Sequence, residues 1–116
     1  MTREFVRLPE FEKQCKLIGL NEADITAVEL TLLANPTIGK LIKGTGGIRK
    51  LRIALPNRGK RGGARAVYVD FAQYKKIYFF HVYEKSETED LTQSEKNELK
   101  AYVKVLESEL RKREKK

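Results

Sequence analysis

Residues 48–85 read IRKLRIALPNRGKRGGARAVYVDFAQYKKIYFFHVYEK, and the fold turns on how this stretch divides. Its first eight residues alternate with the period of two that marks a half-buried strand. Arg49, Leu51, Ile53 and Leu55 point one way, while Ile48, Lys50, Arg52 and Ala54 point the other. With Leu51 and Ile53 in the core, Lys50 and Arg52 share the opposite face. PNRGKRGG is a turn-rich connection, after which ARAVYVDF forms a second strand. Its alternate sets, Arg65/Val67/Val69 and Ala64/Ala66/Tyr68, are both partly apolar, so periodicity leaves its orientation open. KKIYFFHVYEK is the third strand, and burying Tyr78, Phe80 and Val82 puts His81, Tyr83 and Lys85 on the other side. Short connections make the three an antiparallel meander.

Upstream, GTGG at Gly44–Gly47 is a bend that leads into the first of these strands. Glu4–Arg7 suits a short strand, and Pro9 can occupy the first turn of a helix, where its missing N–H is not needed. Phe11, Cys15 and Ile18 share one face of that helix, which Gly19 is placed to end. Asn21 with Asp24 forms a cap for a second helix, in which Ile25, Val28 and Leu32 recur at three and four residues and stop before Asn35 and Pro36. Downstream, Thr92 with Glu95 matches a capping box, and Leu99, Tyr102, Val103, Leu106 and Leu110 mark one face of a C-terminal helix. RKREKK, residues 111–116, reads as a charged tail. The expected order is β-α-α-β-β-β-α: a single α+β domain over residues 1–116, its small antiparallel-meander sheet packed by an N-terminal helical pair and a C-terminal helix.

At 116 residues, 41% hydrophobic and 34% charged, the chain has the size and apolar content for one core under a highly charged surface. A single cysteine, Cys15, has no disulfide partner and no neighbouring His or Cys at metal-ligand spacing, which favours a reducing compartment and a structural role as a small hydrophobe. MTREFVRLPEFEKQ lacks the apolar run of a signal peptide, and no long apolar stretch follows. A soluble, cytoplasmic protein is expected. The formal net charge is +8, and its distribution says more than its size. Between Leu30 and Val69 there is no Asp or Glu, whereas the same stretch holds Lys40, Lys43, Arg49, Lys50, Arg52, Arg58, Lys60, Arg61 and Arg65. Such a concentration repels itself unless a polyanion or acidic partner faces it, and nucleic acid is the natural candidate.

The acids lie mainly in the helical first segment and after Glu84, and neither HExxH nor paired CxxC is present, so a two-metal nuclease has no clustered ligands. GTGGIRK lacks the ending of a phosphate-binding loop and precedes a strand instead of a helix, which leaves nucleotide hydrolysis without support. What remains is metal-free RNA cleavage, in which a 2′-hydroxyl attacks its neighbouring phosphate while the protein supplies proton transfer and positive charge. Arg holds two phosphate oxygens at once, and Lys offers a compact charge. Tyr83 offers a phenolic proton and a ring on which a base can stack. No metal or other cofactor is expected.

Three segments, GTGGIRKLRI, GKRGGARAVY and VYEKSETEDL, resemble the matching segments of the RelE/ParE superfamily of type II toxin–antitoxin toxins, particularly its HigB branch. The likeness runs in order over nearly the whole chain, since the helical pair, NPTIG and the C-terminal helix also fit the family layout. The resemblance implies a ribosome-dependent mRNA endoribonuclease. It places Lys50, Arg52, Arg65, Lys85 and Tyr83 in the catalytic set, with Lys60 and Arg61 in a basic loop. Arg58, His81 and Arg49 join these last two as RNA-binding candidates. His81 shares the expected active face, although a lone strand histidine is more often a hydrogen-bonded structural residue, and Arg49 points to the core side, where an antitoxin or an acidic helix is an alternative partner. The position of the catalytic tyrosine of RelE holds Leu91 here, which passes the acid/base role to Tyr83 or Lys85. Implied partners are a cognate antitoxin of the helix-turn-helix HigA kind, operator DNA through that complex, the ribosome and mRNA. Two rival readings are a ParE-type gyrase poison and a non-catalytic RNA-binding module.

Overall fold

The computed structural model describes residues 2–55, 63–84 and 91–114. In chain order these form strand β1 (Glu4–Arg7), helices α1 (Pro9–Leu17) and α2 (Glu22–Ala34), and strands β2 (Lys40–Leu41), β3 (Ile48–Ile53) and β4 (Ala64–Phe71). A 3-10 turn (Ala72–Tyr74), strand β5 (Lys76–Glu84) and helix α3 (Gln93–Glu114) complete the order. The expected elements are all present, and the fold is α+β. Among the described residues no helix is long and apolar enough to cross a membrane.

The helices start where side chains can satisfy their first N–H groups. Pro9 opens α1, Asn21 and Asp24 bond each other's backbone N–H at the head of α2, and Thr92 and Glu95 do the same for α3. Residues 111–114 belong to α3 and not to a separate tail, which puts Arg111, Lys112 and Arg113 at the negative end of the helix dipole.

The sheet has five strands in the order β1-β5-β4-β3-β2. β3, β4 and β5 form the expected antiparallel meander, and the two edges add what periodicity could not show. β1 pairs parallel to β5, so the sheet is mixed. β2, at two residues, is too short to carry an alternating pattern and pairs with β3 through Lys40 opposite Lys50 and Leu41 opposite Arg49.

Each face of the sheet carries its own core. On one side Leu51, Ala64, Ala66, Tyr68, Ile77, Phe79 and Val82 pack under α1 and α2, against Phe11, Cys15, Ile25, Val28 and Leu32. On the other, Ile48, Val67, Val69, Phe71, Tyr78 and Phe80 pack under Val103 and Leu110 of α3. This orients β4, whose Arg65/Val67/Val69 set lies on the α3 side.

One expected register is corrected. Tyr78, Phe80 and Val82 do not share a face: Val82 packs beneath α1 and α2, and the two aromatics beneath α3. The cause is a bulge, since Val67 opposes His81 while the next residue, Tyr68, opposes Phe79, which leaves Phe80 without a partner in β4. One extra residue reverses the alternation beyond it. Tyr78, Phe80, His81 and Tyr83 therefore all sit on the α3 side.

Candidate nucleic-acid interface

In an antiparallel ladder, residues directly opposite each other project to the same face, with Cβ atoms about 5 Å apart. Two rows follow from the register. Arg52, Arg65 and Tyr83 line up across β3, β4 and β5. Lys40, Lys50, Val67 and His81 line up across β2 to β5, two residues further along each strand. The first row lies where β3 ends, β4 begins and β5 ends. Both rows share their face with α3, whose apolar side covers the aromatic and aliphatic half and leaves Arg52 and Lys40 exposed, with Lys50, Arg65, His81 and Tyr83 half-buried.

Two of the cross-strand pairs, Lys40/Lys50 and Arg52/Arg65, set like charges opposite each other. Such pairs destabilise a sheet, and no ion pair among the described residues neutralises any of the four. Where charge is needed for folding the chain does pair it: Arg3 bonds both oxygens of Asp70, and Arg7 reaches Glu22 and Glu29. The hydrogen bond to Asp70 raises the Arg3 pKa above its ordinary value. Among the described residues, Lys40, Lys50, Arg52 and Arg65 receive no such compensation.

Around the rows the side chains are held at defined places. Arg65 Nη1 donates to the Ala64 carbonyl at 3.3 Å, and Tyr83 lays its apolar body against the α3 core. The His81 ring stacks on that of Tyr83 with centroids 5.9 Å apart and planes inclined by 25°. Its Nδ1 lies 3.7 Å from Glu10 Oε1. The arrangement presents guanidinium and ammonium groups beside a phenol and an imidazole, a set able to neutralise a phosphodiester and exchange protons with it.

Of the residues singled out from sequence, the structure brings together Lys50, Arg52, Arg65, Tyr83 and His81. Arg49 stands apart. Its side chain lies on the opposite face, opposite Tyr68, and Nη1 donates to the carbonyls of Gly39 at 2.8 Å and Thr37 at 3.3 Å. It ties down the segment before β2 and leaves the basic face. Arg58, Lys60, Arg61 and Lys85 lie outside the described residues. Lys40 was missed as a site residue; its signal was the acid-free stretch, but nothing in a two-residue strand revealed that it stands next to Lys50.

A family model described as the RelE toxin of the RelE/RelB toxin–antitoxin system matches residues 20–115. Among solved structures, the chain is similar to the free state of a double arginine-to-alanine mutant of the E. coli toxin RelE, with a TM-score of 0.54 and 18% identity. That likeness covers 75% of this chain and 86% of the other, and at this identity it speaks for the fold alone.

Proposed function

We infer the activity from the family, because this chain belongs to the RelE toxins of toxin–antitoxin systems. We propose that it is an mRNA endoribonuclease of the cytoplasm that cuts on the translating ribosome, without metal, through the basic face of its sheet. The single observation that carries this reading is the pair of uncompensated like-charge contacts, Lys40/Lys50 and Arg52/Arg65, beside Tyr83 and His81 on one face. A polyanion relieves that repulsion, and a phosphodiester undergoing attack gains most from it because its transition state carries added negative charge. Arg65 and Arg52 grip the scissile phosphate, Lys50 and Lys40 follow the backbone, and Tyr83 stacks a base or handles a proton. Lys85 and the Arg58/Lys60/Arg61 loop add further positive charge. A HigA-like antitoxin silences the toxin and carries the complex to operator DNA.

The test adds purified protein to a translating extract and maps mRNA ends with active and with inhibited ribosomes. New ends are expected only during translation. Arg65→Ala should lower cleavage by about 100-fold or more, the scale of losing one transition-state donor, with an unchanged melting temperature. Binding that persists without cutting in the wild type would instead identify an RNA-binding module, and growth arrest by Arg65→Ala with altered DNA supercoiling would identify a gyrase poison.

A further inference from the structure

His81 is the side chain that the basic face leaves unexplained. A histidine serving the strand alone makes hydrogen bonds through its ring, because burying a polar nitrogen without a partner is unfavourable. Here Nδ1 is buried and has no hydrogen-bond partner among the described residues. Yet the side chain as a whole keeps 39% of its exposure, so the open part of the ring lies away from Nδ1. The inner nitrogen faces the Glu10 carboxylate across 3.7 Å, and the outer edge is left to solvent or substrate.

We propose that His81 is the catalytic proton donor to the leaving 5′-oxygen of the RNA, with Glu10 as the residue that positions its ring. This rests on the RNA-cleaving reading. Three observations converge on it. The bulge at Phe80 sets His81 and Tyr83 together on the α3 side, opposite Val67 and Arg65 of β4. Stacking on Tyr83 fixes the plane of the imidazole. Glu10, at the start of α1, stands where it can take up an Nδ1–H, and a carboxylate there selects the orientation in which Nε2 carries the second proton outward. The groups facing His81 are thus Glu10 from α1, Val67 from β4 and Tyr83 on its own strand, with Arg65 opposite Tyr83.

In the step itself the 2′-hydroxyl releases its proton to water and its oxygen bonds to phosphorus. The bond from phosphorus to O5′ breaks, and the Nε2 proton of the imidazolium passes to O5′. The products are a 2′,3′-cyclic phosphate and a 5′-hydroxyl, after which the imidazole regains a proton from solvent.

A leaving group that needs no proton separates this role from all others. Ribosomes are programmed with a synthetic mRNA in which sulfur replaces the bridging 5′-oxygen at the mapped cleavage site, and cutting is compared with the all-oxygen message. On oxygen, His81→Ala should lose about 100-fold or more, the usual contribution of a general acid, and on sulfur it should stay within about tenfold of wild type. Glu10→Gln should show a smaller loss on oxygen and none on sulfur, whereas Arg65→Ala should be slow on both. His81→Gln, with a matched melting temperature, repeats the comparison should the alanine variant unfold. Wild-type cleavage of oxygen by a folded His81 variant, or equal losses on both substrates, would overturn the proposal. A wild-type protein that cuts neither message retires the ribonuclease reading, and the proposal with it.

Discussion

Tyr68 shows how a residue with no evident role in the sequence can hold the site together. It is fully buried, its hydroxyl donates to the Pro36 carbonyl at 2.7 Å, and it accepts from the Gly39 N–H at 3.0 Å. The segment joining α2 to β2 is thereby pinned to the middle of the sheet. Gly39 is required there, because a Cβ would come within 2.7 Å of the Tyr68 hydroxyl. Tyr68→Phe should lower stability by about 1–3 kcal/mol, since two buried backbone groups lose their partner; urea denaturation measures it. Cys15, 2% exposed, is the small core residue its helical position suggested. Burial pushes its thiol from an ordinary value of 9.0 up to about 11. The folded chain then keeps a proton that the unfolded chain releases, so stability falls as pH rises from about 9 towards 11 and is independent of this group below that window. Denaturation midpoints against pH should show the decline in the wild type and less of it in Cys15→Ala.

At the scale of elements, α3 does two things at once. Val103 and Leu110 close the second core, and Tyr102 sets its ring edge-on to Phe80 with centroids 5.5 Å apart. The same helix leaves Lys40 and Arg52 exposed and Lys50 and Arg65 half-buried. Leu110→Ala should cost about 2–4 kcal/mol in thermal or urea unfolding, as expected for a truncated core leucine. The Gly44–Gly47 bend also supports this packing. Thr45, buried, donates to the Ile42 carbonyl at 2.7 Å and accepts from the Ile48 N–H at 3.1 Å, and a side chain at Gly46 would meet Val103 at 3.7 Å. The β5 bulge is the other decisive element, because it allows one strand to give aromatics to the α3 core and both His81 and Tyr83 to the site.

Across the whole molecule, the net charge of +8 is partitioned. Acids are spent on Arg3 and Arg7, which tie the N-terminal strand to its neighbours, while Lys40, Lys50, Arg52 and Arg65 on the α3 side of the sheet have no ion pair among the described residues. Binding to RNA should therefore weaken steeply with salt, each phosphate contact adding about 0.7 to the slope for a single strand. Lys40→Ala should reduce that slope by roughly this amount and leave folding stability unchanged or slightly raised, because it removes a like-charge contact with Lys50. Titrations at several salt concentrations, alongside urea unfolding, check both expectations.

The sequence by itself determined the order of the helices and of every strand except β2, the helix caps, the faces of β3 and the basic character of the stretch from Lys40 to Arg65. All of these are local properties, carried by period, by capping pairs or by the absence of acids within a short window. Only the tertiary structure decided that β1 lies parallel beside β5, that Lys40 meets Lys50, that Arg49 turns to backbone carbonyls, and that a bulge puts His81 and Tyr83 on the same side as α3. Each of these depends on pairing between residues far apart in the chain. A repeat of two along one strand carries no record of the neighbour's register, and a single inserted residue reverses every face beyond it.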